Sequence, residues 1–159
     1  MVSGASVHLA QVNVGRLRAP IDDPLIAGFV AQLDTINALA EASPGFIWRL
    51  KDESGNATTI TAFDDPRMII NMSVWESLEA LRAYVYRSDH TQVLARRREW
   101  FEKMDGPHMA LWWIPAGTLP SVDDAKRCLE MLAARGPTAA AFTFRDRFTP
   151  DRIAAVAAS

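Results

Sequence analysis

From Met68 to Trp75 two rows of side chains alternate along the chain: Met68, Ile70, Met72 and Val74 in one, Ile69, Asn71, Ser73 and Trp75 in the other. Successive side chains of a β-strand point to opposite faces, so the first row can bury against helices while the second lines a cavity. Residues 7 to 17 repeat the arrangement, with Gln11 and Asn13 on one side and Ala10, Val12 and Val14 on the other. Two such strands in one sheet predict a pocket lined by amides, a hydroxyl and an indole.

A chain of 159 residues, 49% of them hydrophobic, is large enough to bury a core without metal or disulfide support. A single domain over residues 1–159 is expected, its core at about 7–148 and its tail at 149–159. A formal net charge of -2 gives no basic footprint for nucleic acid. The lone cysteine, Cys128, permits no intrachain disulfide and is expected in the core. No segment approaches the roughly 18 to 20 apolar residues of a membrane span, and the first residues lack a leader pattern. A cytoplasmic protein without a membrane partner is the expectation.

Breakers and caps divide the rest. Asp23 as N-cap and Pro24 as first helical residue open a helix to about Ala42, with Ile26, Phe29, Val30, Leu33, Ile36 and Ala40 at helical spacing. Ser43-Pro44-Gly45 ends it, and Phe46 to Lys51 reads as a second strand. Arg67 to Glu76 is the third. Ser77 caps a helix through Leu78, Leu81 and Val85, re-capped at Ser88 or Asp89 for a second segment. Met109 to Ile114 is the fourth strand, and Ser121 with Asp124 forms a capping box for a last helix stopped at Gly136-Pro137. Residues 140 to 148 add a short edge strand.

This order is βαββαβ with an extra C-terminal helix, a ferredoxin-like α+β plan in which strands one and three are central and Asn13 stands beside Asn71. Helices are expected on one face only, with Asn13, Asn71, Ser73 and Trp75 on the other. A second copy of the chain would then cover that face, giving a homodimer.

Val74-Trp75-Glu76-Ser77-Leu78-Glu79-Ala80-Leu81 followed by Arg87-Ser88-Asp89-His90 resembles the dimeric α+β-barrel superfamily of antibiotic-biosynthesis-type monooxygenases. With His8-Leu9-Ala10-Gln11-Val12-Asn13, Pro44-Gly45-Phe46-Ile47-Trp48-Arg49-Leu50 and Leu111-Trp112-Trp113-Ile114-Pro115-Ala116-Gly117, nearly the whole chain is similar to a bacterial branch of it known only as a domain of unknown function. The resemblance implies the dimeric barrel. For activity it offers cofactor-free oxygenation, isomerisation or cyclisation, and haem degradation in another branch. That branch has a tryptophan and a histidine where this chain has Val85 and Ala95, although Asn13 matches its asparagine.

The candidate chemistry is therefore proton transfer on a small hydrophobic metabolite, aromatic ones included, with no metal and no cofactor. A monooxygenase-like enzyme is the leading reading, and a non-catalytic dimeric binding protein is the alternative. His90 is the candidate general acid or base, though beside Asp89 it can equally cap a helix. Asn13, Asn71 and Ser73 can present donors to an oxygen gaining negative charge, or simply satisfy one another. Gln11 joins that face. Trp48, Trp75 and Trp112 offer flat walls, and alternation allows only one of Trp112 and Trp113 to reach the cavity. Arg49 can hold a ligand carboxylate or pair within the protein.

Overall fold

The computed structural model describes residues 6–51, 65, 67–86, 97–103 and 106–145, with the backbone alone at 97 and 98. The elements in order are β1 (Val7–Arg16), a 3-10 turn (Pro24–Ile26), α1 (Ala27–Ala42), β2 (Phe46–Arg49), β3 (Met68–Trp75), α2 (Leu78–Val85), the single turn α3 (Arg97–Trp100), β4 (Met109–Pro115) and α4 (Val122–Arg135).

Local chemistry accounts for the boundaries. The Asp23 carboxylate accepts from the Leu25 N–H at 2.9 Å, and Pro24 follows it, but the first turn is a tight 3-10 turn and the α-helix begins at Ala27. The Ser77 hydroxyl accepts from the Ala80 N–H at 3.0 Å to start α2. Ser121 and Asp124 cap α4 reciprocally, each accepting the other's backbone N–H.

The sheet order is β2-β3-β1-β4, with every neighbouring pair antiparallel. This is the ferredoxin-like βαββαβ arrangement with one helix added after it. Gln11 stands opposite Ser73 and Asn13 opposite Asn71. Beyond β4, Phe142 exchanges both backbone hydrogen bonds with Leu111 at 2.8 Å, which realises part of the edge strand expected at 140–148.

Helices cover both faces of the sheet, not the one face expected. The side carrying Leu9, Trp75 and Leu111, and hence Gln11, Asn13, Asn71 and Ser73, packs against Ile36, Leu39 and Ala40 of α1 and Leu78, Leu81 and Tyr84 of α2. The row Ala10, Val12, Val14, Ile70, Met72 and Val74 instead meets Ala125, Cys128, Leu129 and Leu132 of α4. The cause is the uniformity of that second row. It has no polar group to satisfy and so accepts continuous cover, and α4 presents a matching apolar stripe, leaving Val14 and Ile70 at 3% exposure within one protomer. Among the described residues, the face expected to lie open is instead packed against α1 and α2.

Gly45 holds the α1–β2 turn against α2. Its φ is +85°, its carbonyl accepts from the Glu76 N–H at 2.7 Å, and a Cβ there would lie 2.5 Å from the Ala80 Cβ. Gly117 has a similar φ of +89° with nothing within 4 Å. Thermal or urea unfolding should therefore show Gly45→Ala destabilising by about 2–4 kcal/mol, from overlap added to backbone strain, and Gly117→Ala by only about 1 kcal/mol. Equal losses would mean that α2 does not press on this turn.

Candidate functional site

Five side chains on the helix-covered face form one hydrogen-bonded row across the two central strands. The Trp75 indole N–H donates to Ser73 Oγ at 2.8 Å, and Gln11 Nε2 donates to the same oxygen at 2.8 Å and to Asn71 Oδ1 at 2.8 Å. Asn13 Nδ2 donates to Gln11 Oε1 and to Asn71 Oδ1, both at 3.2 Å. The row runs from interior to surface. Trp75 is fully buried, Gln11 and Ser73 nearly so, Asn13 is half-buried and Asn71 is exposed. Burying such groups is tolerable because the Trp75 indole N–H and both Gln11 amide protons have acceptors.

Apolar clusters stand at both ends of this row. One holds Leu9, Trp75, Leu111 and Phe142 beneath α1 and α2; the other holds Leu17, Ile26 and Trp100, with Phe29, Ile69 and Phe101 around them. Helix α1 contributes Ile36 to the first and Phe29 to the second, seven residues or about 10 Å apart along its axis. The amides thus lie between two apolar clusters, with Asn71 at the solvent-exposed end of the row.

The other candidates divide. Trp48 and Trp112 belong to the opposite side, in the core under α4. Trp112 pairs with Ala10 on that side, whereas Trp113, opposite Leu9, is the tryptophan on the side of the amide row and lies 6.4 Å from the Phe142 ring. Trp48 is turned away by an irregularity in β2. Phe46 is opposite Trp75 but Trp48 is opposite Val74, so two steps on β2 match one on β3 and the alternation is lost. The same irregularity brings Arg49 opposite Ser73, where Glu41 accepts from its Nε at 3.1 Å. His90 lies outside the described residues.

Two residues of the site went unnoticed in the sequence. The Tyr84 ring stacks on Trp75 at 5.1 Å, its hydroxyl donates to the Ile36 carbonyl at 3.3 Å, and burial pushes its phenol up to about 12, against a smaller opposing pull from Arg49. Asn37 is a buried carboxamide three residues before Ala40 on the inner face of α1. The spacing Leu78, Leu81, Tyr84 and Asn37, Ala40 was the available signal, and it reads as ordinary helix stripe.

An open cleft of about 610 Å³ between the α1–β2 turn and α2 is lined by Ser43, Gly45, Glu76, Glu79, Ala80 and Tyr84, and includes none of the amide row. Among the described residues no three His, Cys, Asp or Glu side chains are grouped to hold a metal ion, and no helix is long and apolar enough to cross a membrane.

The chain is thus a ferredoxin-like α+β domain with a polar row beneath its first two helices. A family model described as a domain of unknown function, DUF3291, matches residues 8–158, and the chain belongs to that family. Among solved structures it is similar to SnoaB, a cofactor-independent oxygenase from Streptomyces nogalater, at 16% identity over 72% of this chain and 98% of that one, with a TM-score of 0.46. It is also similar to PA3566 from Pseudomonas aeruginosa (11% identity, 73% and 100% covered, TM-score 0.48). A third is NE2512, a protein of unknown function from Nitrosomonas europaea (15% identity, 74% and 99% covered, TM-score 0.46). No curated protein matches the chain.

The buried phenol and thiol set the alkaline behaviour. Burial raises Tyr84 from 10.0 and Cys128 from 9.0, each to about 12, so the folded protein keeps protons that the unfolded chain releases earlier. Their contribution to stability is whole below about pH 9 and is lost as pH rises toward 12. Urea titrations at pH 8 to 11 should show stability falling above pH 9, with a flatter profile for a Tyr84→Phe/Cys128→Ala variant. An identical slope in the variant would exclude both groups as the cause.

Proposed function

We propose that the amide row under α1 forms a recess that binds a small hydrophobic ligand, aromatic ones included, with its polar edge on Asn13 and Asn71, and that the protein acts on it as a cofactor-independent, monooxygenase-like enzyme or as an isomerase or cyclase. The observation that carries this reading is the exposed end of the amide row. Asn71 is held through its Oδ1 by Gln11 and Asn13, which leaves its Nδ2 protons to meet a ligand.

The chemistry that suits such a site is proton abstraction beside a carbonyl or from a phenol. The Asn71 amide would stabilise the enolate or phenolate oxygen as charge grows on it, and the apolar walls would keep water from weakening that bond. His90 is the proposed proton carrier, taking the proton from carbon or oxygen and returning it to the product. Trp75 and Tyr84, stacked on one another, are buried at one end of the row and hold it in place, and Trp113 stands on the same side. The resemblance to dimeric barrels makes a cytoplasmic homodimer part of the proposal. With α4 occupying the apolar side of the sheet, the contact between copies would use a different surface.

The second reading, a binding protein that holds the same ligands without turnover, draws on one observation. Beside the row, Arg49, opposite Ser73, is paired with Glu41, and Tyr84, stacked on Trp75, keeps its phenol protonated up to about 12. His90 therefore decides between the two.

Deuterium exchange at the acidic methylene of 2-tetralone in D2O, followed by NMR, tests this directly. The protein should accelerate exchange over buffer, Asn71→Ala should slow it about 10- to 1000-fold, and His90→Ala should slow it at least 100-fold with affinity within threefold of wild type. Binding without acceleration supports the second reading and overturns the first.

A further inference from the structure

The hydrogen bonds of the amide row have a direction. An indole N–H can only donate, so Trp75 makes Ser73 Oγ an acceptor. Gln11 Nε2 gives its two protons to Ser73 Oγ and Asn71 Oδ1, and Gln11 Oε1 is left to accept from Asn13 Nδ2. The second Asn13 amide proton goes to Asn71 Oδ1. Two groups at the mouth remain unspent among the described residues: Asn71 Nδ2, a donor, and Asn13 Oδ1, an acceptor.

We infer that Gln11 is a positioning residue that sets this polarity, so that the recess selects ligands carrying an acceptor and a donor along one edge, as a fused-ring lactam or an enolised hydroxy ketone does. This inference rests on the proposed ligand site and adds the class of ligand. Gln11 is 5% exposed and donates to Asn71 while accepting from Asn13, so it acts through the asparagines. Its amide is the one member of the row that offers both a donor and an acceptor to the others, and its orientation therefore decides theirs. A carboxylate in its place accepts only. With Gln11→Glu, Asn71 must turn its Nδ2 inward to reach the new oxygen, and its Oδ1 then faces the mouth beside Asn13 Oδ1. The donor–acceptor pair becomes a pair of acceptors.

Calorimetric titration at pH 8 with three bicyclic probes reads this out. 2-Quinolone has a carbonyl and an N–H side by side, 1-methyl-2-quinolone lacks the N–H, and 2,3-dihydroxynaphthalene carries two donors. Wild type should bind 2-quinolone at least about fivefold more tightly than its methyl derivative, the worth of one hydrogen bond, and more tightly than the diol. Gln11→Glu should weaken 2-quinolone about tenfold and reverse its ranking against the diol. Loss of packing alone would weaken both by one factor. Gln11→Met, which keeps length and removes the amide, should bring the two quinolones to within twofold, and melting curves establish that each variant is folded.

Equal wild-type affinity for the two quinolones, or an unreversed ranking in folded Gln11→Glu, overturns the inference. Asn71→Ala separates the levels. If it weakens 2-quinolone while Gln11→Glu leaves the ranking intact, the ligand site stands and its polarity does not. If no probe binds, or Asn71→Ala changes nothing, the site falls along with the inference.

Discussion

A polar group taken into a protein interior must find a partner there, and in this chain that requirement fixes how the two central strands meet. The Gln11 side-chain amide donates to both Ser73 Oγ and Asn71 Oδ1 across the β1–β3 junction. A slip of one residue between the strands would send those groups to the α4 side, into a layer of Val, Ile and Leu with no acceptor, at about 1–3 kcal/mol for each unsatisfied group. The amide row is therefore a register lock as well as the proposed surface for ligands. Both roles follow from the same five residues, the interior members doing the locking and Asn13 and Asn71 reaching the mouth.

The two faces of the sheet divide the work. The α4 side is apolar and closed at its centre, with Ala10, Val12 and Val74 at 0% exposure. The other side is discontinuous, with an apolar cluster at each end and the amides between them. Helix α1 rests on both ends, and the amide row sits in the interval it spans. Gly15 belongs to the same design: at the far end of the row it leaves room for the Phe101 ring, whose nearest carbon would be 2.6 Å from an added Cβ.

Much of this was legible in the residues. The alternation in β1 and β3, Ser77 and Ser121 as caps, the Asn13–Asn71 pairing and the buried Cys128 all follow from local patterns that tertiary packing had no reason to override. The misassigned face has a simple origin, since periodicity says which residues share a side and nothing about which helix lies over it. Trp48 was misplaced because one irregular step in β2 reverses alternation, and the residue types at Ile47 and Trp48 carry no mark of it. The Trp112–Trp113 ambiguity resolves only through the register with β1. Tyr84 and Asn37 looked like helix stripe because their spacing is that of a stripe; their hydrogen-bonding groups matter only once the facing strand is known.

Hydrogen exchange at the five tryptophan indoles, resolved by NMR and assigned with Trp75→Phe, reads the central interaction most directly. If the Trp75 N–H is sealed beneath α1 and α2 against Ser73, its proton should persist far longer than those of partly exposed indoles such as Trp48 and should disappear only with global unfolding. Exchange of that proton as fast as in a free indole would contradict a satisfied amide row on the helix-covered face.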